Sequence, residues 1–114
     1  MTYATGLREL TRHAGVRGAL VVSAPDGLVV ADALMEGVDG GAVAALAASL
    51  AGRMRTVSEA LGHKPPELLH LVGTEGTLLA VPAAGDLLVV AVTALDVNAG
   101  AVRLALRRVA QEIA

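Results

Sequence analysis

The sequence predicts an α/β domain of the α+β type, in the order α-β-β-α-β-β-β-α. Its five strands form an antiparallel sheet with two helices on one face and the central helix on the other. Three observations carry this prediction. Short turn sequences, Pro25-Asp26-Gly27, Thr74-Glu75-Gly76 and Ala84-Gly85-Asp86, separate strand-like runs and force antiparallel neighbours. Residues 19–22 and 87–92 are almost continuously apolar, where a half-exposed strand would alternate, so the sheet is covered on both faces. The outer helices combine an apolar stripe with charge, whereas residues 40–52 carry no charge at all.

Each element follows from local signals. Thr2 caps a first helix running to about Ala14, with Tyr3, Leu7, Leu10 and Ala14 on one face, and Gly15 ends it. Residues 18–24 form a strand, the Pro25-Asp26-Gly27 turn follows, and residues 28–32 return as the second arm of a hairpin. A loop over 33–39 leads to Asp39, the N-cap of the central helix. Gly62 stops that helix, with Pro65 and Pro66 beyond it. Strands are expected over 67–73, 77–81 and 87–95. Asp96 or Asn98 caps a last helix whose inner face is Val102, Leu106, Val109 and Ile113.

The 114 residues are read as one domain, 1–114, large enough to bury a core without a covalent staple. Cysteine is absent, which excludes disulfides, Cys-zinc sites and thiol catalysis. The opening residues lack a signal-peptide pattern, so a cytoplasmic protein is expected. The uncharged helix run falls short of the ~20 residues that span a bilayer, and Pro82, Gly85 and Asp86 interrupt the other apolar stretch; membrane insertion is not expected. A net charge of -2, with Tyr3 the sole aromatic residue, argues against a nucleic-acid partner.

Chemistry is hard to find. His13, His63 and His70 lie far apart with no ligand spacing, so no metal site is expected. The glycines Gly37, Gly40 and Gly41 match neither nucleotide-binding signature, and Asp39 beside them would repel a phosphate. Ser23, Ser49 and Ser58 have no nucleophile context. Neither an enzyme nor a cofactor is expected.

The central helix points instead to protein association. Val43, Leu46, Ala47, Leu50, Met54, Val57 and Leu61 make a stripe expected to pack on the sheet. Ala44, Ala48, Ala51, Gly52 and Arg55 then lie on a flank of mostly small residues, widened by Ala45 and Ser49, where another backbone can approach. The matching surface nearest to hand is the same helix of a second copy, in a twofold dimer. A second candidate is the arginine cluster Arg103, Arg107 and Arg108 on the exposed side of the last helix. It is either a solvated face paired with Glu112 or a docking surface for an acidic partner.

The stretch Gly15-Val16-Arg17-Gly18-Ala19-Leu20-Val21-Val22-Ser23, followed by Asp26-Gly27-Leu28-Val29-Val30-Ala31, resembles the opening hairpin of the Roadblock/dynein light-chain family. The Ala-rich central helix, the Gly-bounded strands and Gly100-Ala101-Val102-Arg103 at the start of the last helix fit as well, so the likeness to its bacterial MglB-like domains covers nearly the whole chain. The resemblance implies the profilin-like Roadblock fold and dimers formed through the central helix and the edge strand beside it, which adds Leu69 and Leu71 to the interface. It also implies a non-enzymatic regulatory or scaffold role with a Ras-like small GTPase as partner, including activation of GTP hydrolysis. A small-molecule-sensing or adaptor domain of similar fold is the alternative reading.

Overall fold

A computed structural model describes residues 1–113. The elements are α1 (Tyr3–Thr11), β1 (Val16–Ser23), β2 (Val29–Leu34), α2 (Gly40–Ala60), β3 (Leu69–Val72), β4 (Thr77–Ala83), β5 (Leu87–Thr93) and α3 (Ala99–Glu112), in the predicted order. The strands form one sheet in the spatial order β2-β1-β5-β4-β3, every pair antiparallel. β1 and β5, the longest apolar runs, therefore sit side by side in the middle, and β2 and β3 are the edges.

Alternation along the strands builds two cores. On one face Ala19, Val21, Leu79, Val81, Val89 and Ala91 pack against Leu7 and Leu10 of α1 and Val102, Leu106 and Val109 of α3. On the other face Leu20, Val22, Leu78, Ala80, Leu88 and Val90 pack against Ala44 and Ala47 of α2. Each fully buried Leu or Val contributes about 1.5–3 kcal/mol. The two-faced burial explains why residues 19–22 and 88–91 carry no polar side chain.

Caps and turns set the element ends. The side chains of Thr2, Asp39 and Asn98 accept hydrogen bonds from the backbone N–H groups of Thr5, Ala42 and Ala101, each at 3.1 Å. Asn98, not Asp96, is thus the cap of α3. The β4–β5 turn places Gly85 and Asp86 at positive φ, 78° and 58°, a conformation that Gly adopts freely and Asp tolerates.

Several boundaries differ from expectation. α1 ends at Thr11, earlier than Ala14, because the chain turns at once: the Val16 N–H donates to the His13 carbonyl and Gly15 takes φ 89°. β2 extends to Leu34, since its pairing with β1 runs on to Gly18. β3 is shorter than residues 67–73, because its only ladder is with β4 and runs from Leu69↔Ala80 to Val72↔Thr77. β4 continues to Ala83 through Pro82, which lies beyond the end of β3, where a strand tolerates proline.

Candidate protein-interaction surface

α2 meets the sheet with its small residues. Gly40, Ala44 and Ala47 are buried, and Val43, Ala48 and Ala51 pack partly against the same core. The large residues ride outside: Leu46 is 47% exposed, Val57 49% and Leu61 63%, and Met54 is also exposed. The expectation that the Leu/Val stripe packs down and the Ala flank faces outward is therefore corrected. Ala44 is a packing residue of this chain's own core and offers no surface to a partner. The reason lies in the strands beneath. Leu20, Val22, Leu88 and Val90 supply the bulk on that face, so close packing selects small side chains from the helix.

Ala45 and Ala48 also have an intramolecular neighbour. Gly27 of the β1–β2 turn, at φ 70°, lies so close to α2 that a Cβ built on it would stand 3.3 Å from the Ala45 Cα and 3.5 Å from the Ala48 Cβ. The chain's own turn is thus one backbone that approaches Ala48. Gly52 and Arg55 are exposed, and a Cβ on Gly52 would meet nothing within 4 Å.

The N-terminal part of this apolar flank adjoins the β3 edge. α2 lies mainly over β1, β2 and β5, leaving β3 beside it. Leu69 and Leu71 stand opposite Ala80 and Leu78, and so share the α2 face of the sheet. Leu71 is 45% exposed. Val43 and Leu46 line one wall of an open groove of about 420 Å³ whose other wall includes Leu71, Leu78 and Val92, with Arg17, Asp39 and Glu75 at its lining. A smaller groove of about 180 Å³ brings Ala51, Arg55 and Leu69 together with Pro65 and Pro66. Because β3 pairs only with β4, the other side of its backbone is free to take a further strand.

The remaining candidates stay separate. His13 follows α1, His63 follows α2 and His70 lies on β3. Among the described residues no three His, Asp or Glu side chains converge as metal ligands. Asp39 is occupied in capping α2. On α3, Arg108 pairs with Glu112 at 3.5 Å and also with Glu9 of α1 at 3.2 Å. Arg103 and Arg107 are exposed and make no ion pair among the described residues.

A sequence profile described as the Roadblock/LC7 domain matches residues 3–93, most of the chain. The chain belongs to the Roadblock/LC7 family. The uncharacterized protein MJ0714 of Methanocaldococcus jannaschii is 37% identical over 107 residues, 94% of this chain and 89% of that one. Among solved structures, an MglB with a tetrameric arrangement superposes with a TM-score of 0.83 at 25% identity, covering 95% of this chain and 82% of that one. A Roadblock/LC7 domain from Streptomyces avermitilis superposes with a TM-score of 0.86 at 16% identity, covering 96% and 92%. These likenesses agree with the Roadblock fold of three helices about a five-stranded antiparallel sheet. Among the described residues no helix is long and apolar enough to cross a membrane.

The residues missed by sequence reasoning as surface are Leu46, Met54, Val57 and Leu61. Helical spacing alone places them in the stripe expected to face the sheet. The discriminating signal was the row Gly40, Ala44, Ala47 and Ala51, spaced at i, i+4, i+7 and i+11 and matched to bulky strands.

Proposed function

We propose that this Roadblock/LC7 domain, read as a single unit over residues 1–114, is a non-catalytic homodimer that regulates or scaffolds a Ras-like small GTPase in the cytoplasm. The observation that carries this reading is the exposed apolar flank of α2, Leu46, Met54, Val57 and Leu61, whose Leu46 shares a groove with Leu71 of the unpaired β3 edge. A monomer gains nothing from keeping these large side chains in water, and contiguous apolar patches mark interaction sites. Two copies related by a twofold axis would bury both flanks and pair both edges in one operation. Ala48, Ala51, Gly52, Arg55, Leu69 and Leu71 stay in the proposed interface; Ala44 leaves it, and Leu46, Leu50, Met54, Val57 and Leu61 join them.

The GTPase half draws on family membership and on the MglB neighbour, and a fold hosts many functions. Its test is a titration of the purified chain against each Ras-like GTPase of the same organism, following binding and the rate of GTP hydrolysis. The reading expects one GTPase to bind, with hydrolysis changed if the chain is an activator and unchanged if it is a scaffold. Failure of all of them to bind contradicts it.

A further inference from the structure

We infer that the outer face of α3, continued across α1, is a docking surface for an acidic protein partner. The chain is acidic overall, with a net charge of -2, but its charge is segregated. α1 with its C-cap and α3 carry five arginines, Arg8, Arg12, Arg103, Arg107 and Arg108, against Glu9 and Glu112. The rest of the chain carries four basic and nine acidic side chains. The layer formed by these two helices is thus positive on a negative molecule, a separation that steers association with an oppositely charged surface.

The detail of the face fits a protein. Every basic residue on it is arginine, whose planar fork matches carboxylates in bidentate geometry. Arg108 is held by Glu9 and Glu112, which ties α3 to α1 and orients that guanidinium. Arg103 and Arg107 are exposed without an ion pair among the described residues. Between Arg103 and Arg107 in sequence stands Leu104, 70% exposed, the most exposed large apolar side chain of the described residues. An apolar contact ringed by arginines suits a partner with a carboxylate-rimmed apolar spot. Duplex DNA would ask for a stronger basic excess. A membrane surface would favour several aromatic or bulky apolar side chains beside the charge, and this face offers only Tyr3 and Leu104. A second copy is a poor occupant, because the acidic residues are scattered over the loops, β2 and α2 and form no matching face.

The surface lies across the sheet from α2, so it remains open whether or not α2 pairs two copies. Labelled poly-glutamate is the probe, with anionic phosphatidylserine vesicles and duplex DNA as rivals and light scattering for self-association. The expected result is salt-sensitive binding of poly-glutamate, weakened about tenfold or more by Arg103→Glu with Arg107→Glu. Leu104→Ala should weaken it less, and Arg53→Glu with Lys64→Glu far less than the α3 pair. Circular dichroism checks that each variant keeps its fold, and Arg103→Gln with Arg107→Gln gives an intermediate loss. The inference is overturned if poly-glutamate does not bind, if the Arg53/Lys64 pair weakens it equally, if vesicles or DNA bind more tightly, or if the α3 pair abolishes self-association instead.

Discussion

Gly27 packs against Ala45: a Cβ on the glycine would stand 3.3 Å from the Ala45 Cα, with Gly27 at φ 70°. This contact seats the β1–β2 turn on α2. Gly27→Ala therefore meets both a strained backbone and a crowded neighbour. Gly37 has φ 88° with nothing within 4 Å, so Gly37→Ala meets the strain alone. Each should lose about 1–2 kcal/mol from left-handed backbone strain, and Gly27→Ala more. Urea unfolding of the two variants at one protein concentration checks the difference.

Ala48 lies under the same turn, 3.5 Å from the position of a Gly27 Cβ. Ala48→Leu should lower stability by about 1–3 kcal/mol through overpacking. Thermal unfolding at fixed concentration measures it. An unchanged midpoint would mean that the turn lifts off freely.

Gly76 is demanded by space and not by φ. A Cβ there would clash with the Thr93 carbonyl oxygen, in the strand against which β4 pairs. Gly76→Ala must push β4 from β5 where the Thr77 and Thr93 hydroxyls are hydrogen-bonded to each other. A loss of about 1–3 kcal/mol is expected, with faster amide exchange at Thr77 and Thr93 as its local signature.

Asp39 caps the helix that bears the proposed interface. Asp39→Ala should cost about 1 kcal/mol, read from the urea midpoint, while Asp39→Asn or Asp39→Ser should recover most of it. Equal loss in all three would show that the side-chain bond to the Ala42 N–H contributes nothing.

Much of the fold was legible because its signals are local. Asp39 and Asn98 announce helix starts, Gly85-Asp86 announces a hairpin, and the unbroken apolar runs of β1 and β5 announce a sheet covered on both sides. The orientation of α2 was not legible by the same means. Both flanks of that helix are apolar, so periodicity could not decide which one faces the sheet. Size was a poor guide, because the depth available to a helix residue depends on what the strands send up to meet it. Leu20, Val22, Leu88 and Val90 fill that space and leave room only for Gly40, Ala44 and Ala47. For the same reason the candidate site shifted by one flank: Leu69, Leu71 and Arg55 stay at the surface, while Ala44 moves into the core and Leu46 takes its place.

The interface beside β3 follows from that shift, and its most direct measurement is the molar mass of the purified chain by light scattering, alone and with Leu46→Glu plus Leu71→Glu. Leu46 and Leu71 line the same groove and are both exposed in one copy, so the double variant should keep its fold by circular dichroism. The account predicts twice the chain mass for the natural sequence and a single chain mass for the variant. A natural chain that stays monomeric at micromolar concentration, or a variant that remains a dimer, contradicts it.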